Sequence, residues 1–120
     1  MKKDDSFKEF VLDQLKDAGG VVSRSMFGGH GLYRGGTFFG IISKGRLYFK
    51  TNNATRTAYV ERGMKAFHPN LKQTLKNYFE VPADILEEPE QLAAWAQNAI
   101  QCCRQDRPFI NGTGKTGNLN

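Results

Sequence analysis

The sequence predicts an α+β domain, an antiparallel sheet with helices packed against one face. Three observations carry this. An amphipathic stripe opens the chain and another follows residue 88, and between them short alternating runs are split by two-residue glycine turns. At 120 residues, with 39% hydrophobic and 12% aromatic residues, the chain suffices for one domain with its own core.

In SFKEFVLDQLKDAGG, the residues Phe7, Phe10, Val11, Leu15 and Ala18 recur at spacings of three and four. The stretch reads as a helix capped by Ser6 or Asp5 and stopped by Gly19 and Gly20. VVSRSMF alternates as a short strand. GHGLYR and TFFGIIS flank Gly35 and Gly36, and GIIS and RLYFK flank Lys44 and Gly45. Two-residue connections of this type need positive φ at both positions and join tight hairpins. Residues 21–50 therefore read as three or four antiparallel strands, with Leu47 and Phe49 on one face and Arg46, Tyr48 and Lys50 on the other.

A short helix is expected from Asn53 to Arg62, capped by Asn52 or Asn53 and stopped by Gly63. MKAFHPN reads as extended and broken by Pro69, and residues 73–79 as a strand running toward Pro82. After a turn, Pro89 suits the first position of a closing helix, whose stripe is Leu92, Trp95, Ala96, Ala99, Ile100 and Cys103. Residues 1–107 form the expected domain, and 108–120, rich in Gly, Asn and Thr, a flexible tail.

The net charge is +5, unevenly spread: residues 21–82 carry ten basic groups against Glu61 and Glu80, while both flanks are mildly acidic. Such a segment suits an acidic partner or nucleic acid; it also fits a solvated surface with basic strand edges. Adjacent Cys102 and Cys103 cannot bridge without strain, which fits a reducing cytoplasm. No apolar run reaches the roughly 20 residues that span a bilayer, so no membrane partner is expected.

A glycine-rich run such as RSMFGGHGLYRGGTFFG can cradle a phosphate or turn a sheet. A dinucleotide fingerprint fails because Arg34 occupies the third glycine position and a strand follows where a helix should open. In GTGKT (112–116), a full P-loop would require glycine where Phe109 stands. His30 and His68 are the two histidines, with no metal-binding spacing and no GxSxG elbow around Ser23 or Ser25. No catalytic residue, cofactor or metal is expected, and the glycines are read as turning a sheet.

The stretch RSMFGGHGLYRGGTFFGII, followed by GRLYFKT (45–51), resembles the N-terminal domain of the TfoX (Sxy) family of competence regulators. Arg24, Met26, Phe27, Gly28, Gly29, Gly31 and Tyr33 match its R-x-M-F-G-G-x-G-x-Y signature. YFEVPADILEEPEQLAAWAQNAI (78–100) is similar to its last strand, Val-Pro turn and closing helix. FHPNLKQTL departs from the glycine-bearing strand of the family. The resemblance implies an α-β-β-β-α-β-β-α fold close to type III secretion chaperones. It also implies a non-enzymatic transcriptional coactivator, partnered by a cAMP receptor protein-type factor or the RNA polymerase machinery.

The candidate interaction patch is Arg24, Phe27, Tyr33, Arg34, Arg46 and Tyr48, with Met26, Gly28, Gly29 and Gly31 as its structural motif. If the arginines share a face with the tyrosines, the patch suits an acidic protein surface or phosphates. Alternatively, Arg24 pairs Asp13 or Asp17 on the first helix. A second reading is a nonspecific nucleic-acid module using the basic segment 24–76. A third, a small-ligand site, would require a pocket walled by His30 or His68 and a carboxylate. An exposed apolar sheet edge or face would point to a homodimer.

Overall fold

The computed structural model describes residues 3–26, 28–70 and 73–105. The tail expected at 108–120 and Phe27 lie outside them. In chain order the elements are α1 (Lys3–Gln14), a 3-10 turn (Lys16–Ala18), β1 (Val21–Met26), β2 (Gly29–Arg34), β3 (Thr37–Ser43) and β4 (Arg46–Lys50). They continue with α2 (Asn53–Glu61), β5 (Ala66–Asn70), β6 (Gln73–Glu80), α3 (Ala83–Leu86) and α4 (Pro89–Gln105). The strands form one antiparallel sheet ordered β1-β2-β3-β4-β6-β5. The α+β class holds, with four strands before α2.

Both glycine hairpins have the expected geometry, with φ of 55° and 81° at Gly35 and Gly36 and 52° and 74° at Lys44 and Gly45. Positive φ at both positions gives a turn whose twist matches the strands it joins. The cap of α2 is Asn52. Its side chain accepts from Thr55 N at 2.9 Å, and Thr55 Oγ1 accepts from Asn52 N at 2.9 Å. Asn52→Ala opens this reciprocal cap, and thermal unfolding is expected to show a loss of about 1 kcal/mol.

The helices and one sheet face enclose the main core. Leu32, Phe39, Ile42, Leu47 and Phe49 from the strands meet Val11 and Leu15 of α1, Tyr59 of α2, Ile85 of α3, and Leu92, Ala96, Ala99 and Ile100 of α4. Alanines at 96 and 99, both essentially fully buried, let α4 lie close on β3 and β4.

Several local expectations are corrected. α1 spans Lys3–Gln14, which puts Asp5 and Ser6 inside the helix and not at its cap. Phe10 is 41% exposed and stacks its ring on Phe7 at 6.3 Å instead of entering the core, because Phe7, Val11 and Leu15 already define the buried side. β5 runs through Pro69. Its place at the sheet edge tolerates a residue without an N–H. The turn after Pro82 is the short helix α3. On α4 it is Cys102 that is fully buried, 3.6 Å from Thr55 Oγ1, while half-buried Cys103 donates its thiol to the Phe38 carbonyl at 3.0 Å.

Candidate interaction face

The helices cover one face of the sheet. Strand alternation and pairing assign the other, and it collects most of the aromatic residues of the hairpins. Directly opposed residues share a face. The pairs Ile41–Tyr48, Tyr33–Phe38, Tyr48–Glu80 and Lys50–Tyr78 therefore lie together, away from the pairs that contain Leu32, Leu47 and Phe49. Tyr33 and Phe38 rings are 5.2 Å apart, Phe38 and Tyr78 5.6 Å, and Tyr48 and Phe67 4.6 Å. Ile41 and Phe67 are buried, outside the helix-side cluster, so the open face carries a small apolar layer of its own.

A β-bulge creates this arrangement. Leu32 opposes Gly40, but Tyr33 opposes Phe38, so β3 spends one extra residue, Phe39, at the step. Strict alternation would put Phe38 on the Gly40 side. The bulge turns it to the open face and leaves Phe39 in the core against Phe49, with ring centroids 5.7 Å apart.

Cations rim the aromatic row. The Arg24 guanidinium lies 5.4 Å from the Tyr33 ring and the Lys50 ammonium 5.6 Å from Tyr78. Arg46 Nη1 lies 2.9 and 3.1 Å from the two carboxylate oxygens of Glu80, a largely exposed pair worth under about 1 kcal/mol. Glu80 is the one carboxylate that the six strands contribute among the described residues, so the face is net positive. Burial raises the Tyr48 pKa, Glu80 raises it further, and Arg46 opposes; the phenol stays protonated at neutral pH.

The sequence-derived patch is thus divided. Arg24, Tyr33, Arg46 and Tyr48 lie on the open face. Arg34 lies on the opposite one, where its Nη1 donates to Gln97 Oε1 of α4 at 3.1 Å, and Gln97 Nε2 donates to the Ala18 carbonyl at 3.4 Å. Arg34 therefore ties β2 to the helix layer. The alternative pairing of Arg24 with the first helix does not occur: Arg24 faces away from it, and Asp13 pairs with Lys16 at 3.0 Å. Phe38, Lys50, Phe67 and Tyr78 join the face although sequence reasoning did not select them.

The motif residues shape the floor of this face. Gly28 adopts φ 74° at the β1–β2 connection. A Cβ on Gly29 would overlap the Ile42 carbonyl oxygen, and one on Gly31 would sit 2.7 Å from Met26 Cε and 3.0 Å from Phe38 Cε1. Met26 therefore lies flat across Gly31, beside Phe38. Gly29 and Gly31 allow close approach of backbone and side chains within the sheet.

His30 is buried in β2, and exposed His68 shares a 3.0 Å hydrogen bond with Thr74 Oγ1. Among the described residues no group of three or more His, Cys, Asp or Glu could hold a metal ion. A cleft of about 290 Å³ between α2 and α4 is walled by Ala54, Thr55, Ala58, Tyr59, Trp95 and Ala99, with Lys50 and Asn98 at its lining, and includes neither a histidine nor a carboxylate. No helix among the described residues is long and apolar enough to cross a membrane.

The family model described as the TfoX N-terminal domain matches residues 13–103, most of the chain. The chain belongs to the TfoX N-terminal domain family. It is 32% identical over 104 residues to the DNA transformation protein TfoX1 of Aliivibrio fischeri, a match covering 85% of this chain and 50% of that protein. The chain thus spans about half the length of this curated relative. The family match takes in all six strands, α2, α3 and most of α4, and the name of that relative connects that protein with DNA transformation.

Proposed function

We propose that this TfoX-type domain is a non-enzymatic, competence-related regulator that docks a protein partner on the open sheet face. The partner class is a transcription factor of the cAMP receptor protein type, or the RNA polymerase machinery. The observation that supports this reading is the face itself: half-buried aromatic rings rimmed by Arg24, Arg46 and Lys50, with a single carboxylate already engaged by Arg46. Aromatic and arginine side chains around a desolvated centre are the chemistry of interface hot spots, and a positive rim selects an acidic partner surface.

The test is fluorescence anisotropy of a labelled promoter duplex titrated with the domain, with and without the cAMP receptor protein. Docking through a protein partner gives a rise that requires the receptor and survives moderate salt. Arg24→Glu is expected to weaken that rise at least about tenfold. Arg34→Ala, on the other face, leaves the affinity unchanged and lowers stability by about 1 kcal/mol through the lost Gln97 hydrogen bond. Equal effects of the two variants on affinity would contradict the assignment of the face.

A second reading is favoured by the Arg24–Tyr33–Phe38–Tyr78–Lys50 row. Rings flanked by cations on a sheet can stack successive bases of a single strand and hold its phosphates. With a labelled single strand in place of the duplex, it predicts binding without the receptor, lost steeply as salt rises.

A further inference from the structure

The two edges of the sheet are built differently. β5 carries the devices that discourage strand pairing: it is five residues long, contains Pro69, and shows register shifts between Ala66 and Phe67 and again before Asn70. β1, at the other edge, has neither a proline nor a register shift. Its six residues pair with β2 in unbroken register from Val21–Arg34 to Met26–Gly29, without a bulge, proline, lysine or acidic residue. On its outer side no described strand lies, and Val22, on the open face opposite Tyr33, is 53% exposed. A regular edge with unpaired backbone donors and acceptors is a template for another strand.

We infer that the β1 edge pairs with β1 of a second copy of this chain, antiparallel about a two-fold axis, so that two sheets join into one. The residues of β1 favour a self-pairing. In antiparallel strands, directly opposed residues share a face, which allows registers centred on a single residue. Centring on Arg24 would oppose two guanidinium groups. Centring on Ser23 opposes the two serines, sets Val21 against Ser25, and lays the Arg24 stem over Val22 of the other copy, covering the exposed valine. The proline-bearing β5 edges stay at the outside of the combined sheet, so the assembly closes as a dimer and does not extend into a fibre. The joined sheet also sets the two Arg24–Tyr33 patches side by side. The pairing does not depend on what those patches bind.

Sedimentation equilibrium of the full chain across the micromolar range, with two variants, tests this. The wild-type chain is expected to pass from monomer to dimer. Val22→Lys, a charge at an already exposed edge position, is expected to raise the dimer dissociation constant at least about tenfold while circular dichroism stays native. Ser23→Cys is expected to form a covalent dimer under mild oxidation. Opposed Cβ atoms about 4.5–5.5 Å apart lie within a small adjustment of disulfide geometry. The wild-type chain, with its own Cys102 and Cys103, is the control. If Val22→Lys fails to fold, the Ser23→Cys cross-link decides alone. A wild-type chain that stays monomeric throughout overturns the inference. So does a dimer through another surface, seen as no Ser23→Cys cross-link and no response to Val22→Lys.

Discussion

Gly29→Ala is expected to destabilise the domain by about 3 kcal/mol or more, at or beyond the upper end of ordinary overpacking costs. The added Cβ would overlap the Ile42 carbonyl oxygen and stand 3.1 Å from Ile42 C and 3.2 Å from Ser43 Cα. These are backbone atoms of β3, which is paired on both sides, so the clash is relieved only by prying β2 from β3. Gly31→Ala is the internal control. Its nearest neighbours are the flexible end of Met26 and the edge of the Phe38 ring, which can move aside at a fraction of that cost. Urea denaturation of both variants checks the ordering. A Gly29→Ala protein as stable as Gly31→Ala would contradict the close approach of β2 to Ile42.

Phe49→Ala is the second large effect, about 3–5 kcal/mol. Phe49 is fully buried on β4, its ring 5.7 Å from Phe39, and it opposes Gly40, whose missing side chain makes room for the Phe49 ring edge at 3.2 Å from the absent Cβ position. Truncation leaves a void between the central strands and α4 that the rigid sheet fills poorly. The midpoint of urea unfolding should fall accordingly. Val60→Ala, at a position 56% exposed on α2, should stay within about 0.5 kcal/mol of wild type. Comparable losses from the two would overturn the placement of the core.

Local chemistry was the legible part of the sequence. Gly35 with Gly36 and Lys44 with Gly45 declare their turns because few residues accept positive φ, and Asn52 declares the start of α2 through its cap. The opposition of Arg34 to Tyr33 was also readable, since neighbours on a strand point to opposite faces, although the candidate patch includes both. Phe38 and Tyr78 were not readable. One reaches the open face through a bulge that the alternation does not encode, the other through the pairing of β4 with β6, set by residues far apart in the chain. Which of Cys102 and Cys103 is buried depends on the approach of α2 through Thr55, again a tertiary fact.

The central claim, that the open face is the docking surface, is tested most directly by amide and aromatic NMR shifts of the labelled domain titrated with the cAMP receptor protein. The account predicts perturbations concentrated at Arg24, Tyr33, Phe38, Tyr48 and Tyr78, abolished by Arg24→Glu. Shifts confined to the α2–α4 cleft around Ala58 and Trp95, with the open face unchanged, would contradict it.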